Sequence, residues 1–443
     1  MNRIIFFLIL LWVSAATTMN AQVSEFSIDA ANNSIIRSIG NNHNLILLEK
    51  SNGINYFVLH DDSSPTAQIF AMPSEIRVHD VGIWKGQTAF FCGTYIPLNE
   101  GVVGFFDIAD VFSGIGVVNY CRFTYNPYSF FTRATDFKRL SLYEVGTTAC
   151  VALVGDAWFD NILNEPTSTV ASAYFNGVEW LGCTYLRKPH AVHFTDVACL
   201  DNTIVTVASD INNQFCFIKT FFRTVDFPLY PCALSDFVAI DYGNPFGDVL
   251  TTQMVADTVA VAHINKEMDG RVVIHKVPID NITGLPVFPI ETWTASLTSP
   301  VTTNTNLLEL TALGNRVWLL QNAALHPTTG TDHWLMDVTL NSPATTTPMS
   351  AYHPSFGLAQ SFDFDITLLN PRLSGSNGRL LLYLPVWNTP TGNCSLITTA
   401  TMPVANATRR LYKESESAES QSYNNQIHIP FIDEISSTII CFQ

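Results

Sequence analysis

Residues 80–108 read DVGIWKGQTAFFCGTYIPLNEGVVGFFDI, and this stretch decides the fold. It holds two apolar runs, at 89–92 and 102–108, separated by a segment that contains Gly93, Pro97 and Asn99. Short apolar runs bounded by glycine, proline and asparagine are typical of buried β-strands rather than helices. The stretch therefore predicts a β-hairpin, and the fold depends on whether the chain repeats it.

The same order of turn and apolar run recurs along the chain. In each copy a turn residue precedes a compact apolar run, and a second run follows after a polar gap. The turn residues are Asn42, Gly86, Gly146, Asn202, Asp257, Asn315 and Gly378. They are spaced about 44 to 63 residues apart, about 56 on average, which is a period typical of β-propeller blades. Asn, Asp and Gly suit these positions because they accept the positive φ angles of tight hairpin turns.

The repeat predicts an all-β fold, a seven-bladed β-propeller. No single blade can bury both of its faces, so neighbouring sheets must stack around an axis and cover one another. Six- or eight-bladed propellers and a pair of β-sandwiches are the alternatives, and a pair of sandwiches does not account for seven regularly spaced copies. We expect an apolar segment beyond the polar loop 409–425 to pair with the N-terminal blade and close the ring.

The N-terminus has the pattern of a signal peptide. Arg3 precedes an apolar run at 4–13, and small residues follow as far as Ala21. This run is too short to span a bilayer as a helix, so residues 1–21 are predicted to be cleaved, which leaves 22–443 as a single propeller domain. The mature protein is then exported to the periplasm or the extracellular space and has no membrane span.

Composition excludes some partners. The chain has 22 basic and 38 acidic residues and a formal net charge of −16. A protein this acidic is not expected to bind nucleic acid or an anionic membrane surface.

The string AFFCG, a short polar gap and then GVVGFFDI resemble blade repeats of exported, uncharacterised β-propeller proteins of Bacteroides-like bacteria. The resemblance is clearest over residues 76–125, and the signal peptide ending in Asn-Ala-Gln is similar too. It implies the propeller fold and no particular reaction, so no catalytic residue follows from it.

Three of the nine cysteines, Cys92, Cys150 and Cys216, lie inside apolar runs. Cysteine in such a setting behaves as a small buried hydrophobe. Since an exported protein meets oxidising surroundings, a disulfide between Cys92 and Cys121 is the alternative.

When the copies are aligned, an acidic or polar residue lies about six positions before several of the turns. The acids in this column are Asp80, Asp196 and Glu309, with Asp365 nearby in the seventh copy, while Leu140 and Thr251 occupy it elsewhere. Because the first strand of a blade lines the central channel, the acids are expected to meet at its mouth and bind a cation or a hydroxyl-rich ligand. The alternative is that they cap turns or hydrogen-bond to neighbouring blades.

Trp158 and Trp180 are the aromatic candidates for ligand binding, since exposed tryptophans stack on sugar rings or bind protein partners. Packing between blades is the alternative for both. His190 and His193 are three residues apart, so on a strand they point to opposite faces and do not form a metal site. The other histidines, His263 and His275 among them, are interpreted as surface or packed residues, and no metal or cofactor is predicted.

The chain contains no nucleophile elbow, P-loop or dinucleotide fingerprint. The sequence therefore predicts a secreted binding module without catalysis, which recognises a protein or glycan through loops on one face. The alternative is a glycan-active enzyme, a glycoside hydrolase or lyase, with carboxylates at the channel mouth.

Overall fold

The structure is a computed structural model. It describes residues 23–27, 33–40, 44–50, 53–60, 68–123, 132–159, 165–186, 192–201, 203–210, 216–222, 232–233, 238–241, 245–254, 257–265, 271–295, 306–313, 316–326, 330–337, 372–376, 379–386 and 438–442. The predicted signal peptide (1–21), Asp365 and the polar loop 409–425 lie outside these residues.

The described residues form antiparallel sheets, named I to VII in chain order. The first described strand, β1 (Val23–Ser27), belongs to the last sheet. Sheet I contains β2 (Asn33–Gly40), β3 (Asn44–Lys50), β4 (Asn55–His60) and β5 (Gln68–Ala71). Sheet II contains β6 (Ile76–Trp84), β7 (Thr88–Tyr95), β8 (Glu100–Asp107) and β9 (Asn119–Arg122). Sheet III contains β10 (Thr132–Val145), β11 (Thr148–Phe159), β12 (Glu165–Phe175) and β13 (Trp180–Leu186).

Sheets IV to VI are also built from strands that are consecutive in the chain. Sheet IV contains β14 (Val192–Cys199), β15 (Thr203–Asp210), β16 (Cys216–Phe222), β17 (Cys232–Ala233) and β18 (Val238–Asp241). Sheet V contains β19 (Pro245–Gln253), β20 (Thr258–Asn265), β21 (Arg271–Pro278) and β22 (Glu291–Ala295). Sheet VI contains β23 (Asn306–Leu313), β24 (Arg316–His326) and β25 (Gly330–Asp337). Sheet VII contains β26 (Arg372–Ser376), β27 (Arg379–Val386), β28 (Thr438–Phe442) and β1.

The all-β prediction is confirmed. Each turn residue identified in the sequence falls between the first and second strands of a sheet built from consecutive strands. Gly86 and Gly146 have φ angles of 72° and 63° there, a conformation that glycine adopts without strain. In the described part of the chain the α-helical content is one short helix, α1 (Ile108–Phe112), and no helix is long and apolar enough to cross a membrane.

Alternate residues of a strand are buried on opposite faces, which explains the continuous apolar runs. In β7, Phe91 packs in the layer between sheets I and II, whereas Phe90 and Cys92 pack in the layer between sheets II and III. In β11, Leu153 faces sheet II and Val154 faces sheet IV. A strand covered on both sides has no polar face, so its sequence loses the alternation of a half-exposed strand.

The burial predicted for Cys92, Cys150 and Cys216 is confirmed, because each of these residues is almost completely buried. The alternative disulfide between Cys92 and Cys121 does not form. Cys92 and Cys121 lie on either side of Val103, two strands apart. Two strand spacings are about 9.5 Å, which is too far for a disulfide.

The first strands of sheets II, III and IV share a β-bulge. The pairing register shifts between Val78 and Asp80 in β6, between Phe137 and Arg139 in β10, and between Phe194 and Asp196 in β14. A bulge at the same place in successive sheets indicates that the sheets are copies of one unit, since bulges are built-in features of a fold.

Gly104 on β8 tests the tightness of this packing. A Cβ atom there would contact the ring of Phe91 and lie 2.6 Å from the backbone oxygen of Asn119. We expect Gly104→Ala to lower the free energy of unfolding by about 1–3 kcal/mol through overpacking. Chemical denaturation measures the change. Gly82→Ala is the control, because its Cβ would meet movable side-chain atoms of Leu140 and Leu142, and equal losses in the two variants would contradict the expectation.

Candidate metal centre

Asp80 and Asp196, two acids of the predicted column, join neighbouring sheets. Each accepts one hydrogen bond from a backbone N–H of its own sheet and one from a backbone N–H of the next sheet. Asp80 accepts hydrogen bonds from the backbone N–H groups of Val81 and Leu140, each at 2.9 Å. Asp196 accepts from Val197 and Thr251, again at 2.9 Å each. This is the alternative role considered from the sequence, in which an acid joins neighbouring sheets.

A cavity of about 220 Å³ lies between the first strands of sheets III to VI. Asp196 lines it together with Arg139, Thr251 and Gln253, whereas Asp80 is only 1% exposed. The structure thus places one described acid of the column at a cavity and buries another between sheets. Ligand binding by these carboxylates stays a prediction.

The aromatic candidates have different surroundings. Trp180 packs against Phe90 and Phe105 of sheet II, and its Nε1–H donates a 2.9 Å hydrogen bond to Asn119 Oδ1. Trp180 therefore joins two sheets, as in the packing alternative. Trp158, the other aromatic candidate, lies on β11 opposite Arg133.

Glu309, the third described acid of the column, lies on β23 opposite Leu320.

A cluster that the sequence analysis did not identify lies between sheets IV and V. His263 is on β20, His275 is on the neighbouring strand β21, and Asp241 is at the end of β18. Val261 and Val277, each two residues away from a histidine, pack against sheet IV. Because side chains two apart on a strand share a face, both histidines point toward sheet IV, where they meet Asp241.

Three ligand-type atoms of this cluster converge. His263 Nε2 lies 2.9 Å from Asp241 Oδ2 and 3.1 Å from His275 Nε2. His275 Nε2 lies 3.6 Å from the same carboxylate oxygen. The two imidazole rings stack at 5.2 Å with an angle of 14° between their planes. Asp241 Oδ2 also accepts a 3.4 Å hydrogen bond from Asn265 Nδ2, so this oxygen is the shared acceptor of the cluster.

Burial and charge set the protonation of the cluster. Burial acts to raise the pKa of Asp241, but the hydrogen bonds and charges of the two histidines outweigh it and hold this pKa well below its usual range. Burial lowers the pKa of His275, and the neighbouring His263 lowers it further against the opposing effect of Asp241. The cluster thus presents an ionised carboxylate beside a His275 whose neutral form is favoured, and these are the forms that bind metal ions.

The spacing fits a transition-metal ion. A triangle with these three sides has a centre about 1.9 Å from each atom. Zinc bonds to nitrogen and oxygen are about 2.0–2.2 Å long, so an ion slightly out of the plane of the triangle reaches all three atoms. His275 Nδ1 also lies 3.0 Å from Thr292 Oγ1, the outer-shell hydrogen bond that orients metal-binding histidines. His263 Nδ1 has no hydrogen-bond partner among the described residues.

No protein-family model matches the chain, and no curated protein matches it. Among solved structures, the chain is similar to an acylaminoacyl peptidase of Pyrococcus horikoshii, with 9% identity, a TM-score of 0.44, and coverage of 89% of this chain and 53% of that one. Prolyl oligopeptidase B of Galerina marginata is 6% identical with a TM-score of 0.45, and the match covers 87% of this chain and 52% of that one. The β-propeller domain of the Trilobed protease of Pyrococcus furiosus is 10% identical with a TM-score of 0.38, and the match covers 91% of this chain and 98% of that one. The chain spans about half the length of the first peptidases it matches.

The predicted function is wrong. The matched structures include a prolyl endopeptidase, acylaminoacyl peptidases and a post-proline cleaving enzyme, whereas the sequence predicted a non-catalytic module for a protein or glycan. The glycan-active alternative has no counterpart among the structures named here. The peptide-cleaving activities are those of chains about twice as long as this one.

Asp80→Ala tests the bond between sheets II and III. The substitution leaves two buried N–H groups without their acceptor, at a cost of about 1–3 kcal/mol each, so we expect the free energy of unfolding to fall by about 3 kcal/mol in urea titrations. Asp201→Ala, at an exposed position, is the matched control. A loss of less than about 0.5 kcal/mol, the size of an ordinary surface substitution, would contradict the bridging role of Asp80.

Proposed function

We propose that the protein binds one divalent transition-metal ion through Asp241, His263 and His275. The observation that carries this proposal is the convergence of three ligand atoms within 3.6 Å of one another in a buried layer. Imidazole nitrogens with one carboxylate oxygen suit zinc and other late transition metals better than calcium or magnesium, which prefer oxygen ligands.

The ion would join two sheets. Asp241 belongs to sheet IV, and both histidines belong to sheet V. His263 is completely buried, whereas the Asp241 side chain is 22% exposed. A cation there compensates the partly buried carboxylate and links the sheets by coordination bonds. The proposed function is therefore metal binding that stabilises the arrangement of the sheets.

Zinc titration of chelator-treated protein tests the proposal. We expect one zinc ion per chain by calorimetry, and at free zinc of one hundred times Kd a stabilisation of about 2.7 kcal/mol. Asp241→Asn and His263→Gln remove one ligand each and are expected to weaken binding by at least about tenfold. His193→Ala, at an exposed histidine, is the control and should bind as the natural chain does.

Circular dichroism checks that the variants are folded. If His263→Gln, which alters a buried side chain, does not fold, the Asp241→Asn variant still tests the metal site. Absence of zinc binding by the natural chain, or full affinity in the Asp241→Asn variant, would overturn the proposed metal site.

We also propose that the seven sheets are the blades of a closed propeller. Two observations support this. The first strands contact one another in the cyclic order β2, β6, β10, β14, β19, β23, β26 and back to β2. Sheet VII joins the two ends of the chain, because β1 pairs with β28 from Val23 opposite Phe442 to Ser27 opposite Thr438. The predicted closure used an apolar segment of the tail, and β28 lies in such a segment.

A cross-link tests closure. Ser24 lies directly opposite Cys441, and opposite residues have Cα atoms about 4.5–5.5 Å apart, within the range of disulfides. We therefore expect Ser24→Cys to form a disulfide with Cys441 under mild oxidation, located by peptide mass mapping. Ser27→Cys lies three residues along the strand, about 10 Å away and on the other face, and serves as the control. Equal cross-linking of both variants, or none of Ser24→Cys, would contradict closure by β1 and β28.

A further inference from the structure

Cys216 lies beside the proposed metal centre. It is the first residue of β16 and lies opposite Asp241 of β18, at a point where the pairing register shifts. A β-bulge breaks the regular alternation of side chains there, and the Asp241 carboxylate meets both histidines in the layer between sheets IV and V. Cys216 is completely buried and packs in the apolar layer between sheets IV and V, with Val261 and Val277. These valines lie two residues from the two histidines, so the thiol and both imidazoles occupy one layer.

We propose that Cys216 is the fourth ligand of this ion, which makes the centre a closed Cys-His-His-Asp site of the structural zinc class. This inference rests on the proposed function, because it concerns the same ion. The Asp241 carboxylate and the two imidazoles form a compact group of three ligand atoms that does not include the Cys216 thiol. In a tetrahedral zinc site, bonds of about 2.3 Å to sulfur and 2.0 Å to oxygen place these two atoms about 3.5 Å apart, and Cys216 Sγ must move to this distance from Asp241 Oδ2 when the ion binds.

Charge balance favours the thiolate. With Asp241 and two neutral histidines, a divalent ion leaves one net positive charge in a layer where His263 and Cys216 are completely buried. Burying an uncompensated charge is costly. When the ion binds Cys216, the S–H bond breaks, the metal–sulfur bond forms and the proton leaves to solvent, so the site becomes neutral.

The same environment keeps the thiol protonated before the ion arrives. Burial raises the pKa of Cys216 well above its ordinary value, and the charge of Asp241 raises it further. A metal ion inverts this effect because it deprotonates a coordinating thiol. Each sheet then supplies two ligands, Cys216 and Asp241 from sheet IV and the two histidines from sheet V.

Cobalt substitution tests the inference. Co²⁺ bound by a thiolate gives a sulfur-to-cobalt charge-transfer absorption that nitrogen and oxygen ligands do not give. We expect this band in the natural chain and its loss in Cys216→Ser, with Co²⁺ affinity reduced by at least about tenfold. Cys150→Ser is the matched control, since Cys150 is equally buried but lies between sheets III and IV, and it should keep the band.

Proton release on zinc binding gives a second readout that needs no variant. We expect about one proton per zinc ion near pH 7, measured by calorimetry in buffers of different ionisation enthalpy, because the thiol must lose its proton. Cobalt that binds without the charge-transfer band, or a band that persists in Cys216→Ser, would overturn the role of Cys216 while leaving the metal site. No binding of cobalt or zinc at all would instead overturn the proposed function.

Discussion

A four-stranded sheet with two apolar faces is buried only when another sheet packs on each face. The described strands of sheets II, III and IV meet this condition, because each contributes to two apolar layers. Burying one large apolar side chain contributes about 1.5–3 kcal/mol, so the side chains of each layer give the stacking its main free energy. A sheet separated from its neighbours would expose both of its faces, and the rest of the structure depends on this mutual covering.

Polar groups within the apolar layers fix the position of each sheet on the next one. Apolar contact is non-directional and leaves one sheet free to slide on the next. Asp80 and Asp196 remove this freedom, because each carboxylate binds an N–H of its own strand and one of the next first strand. The cluster of Asp241, His263 and His275 also bridges two neighbouring sheets. Joining of sheets by buried polar groups is thus a recurrent device, and the proposed metal centre is a special case of it.

Local sequence was enough to predict the strands, since runs such as AFFC at 89–92 end at turn residues that also mark the repeat. The column containing Asp80 and Leu140 was predicted too, and these two residues hydrogen-bond to each other across sheets. The Asp241 cluster was not predicted, because its members lie on three strands of two sheets and no spacing of 22 or 12 residues signals their convergence. One signal was present: His263 and His275 each stand two positions from a valine of the same buried face.

Native-state hydrogen exchange at increasing denaturant measures the mutual dependence of the sheets most directly. Peptides from β7, β11, β15 and β20 report the central strands of sheets II to V. If the sheets cover one another, opening one exposes the faces of its neighbours, so the amides of all four strands should reach a common free energy of opening. If one of these strands instead opened at a much lower denaturant concentration while the others stayed protected, the sheets would form independent cores, and the account would be contradicted.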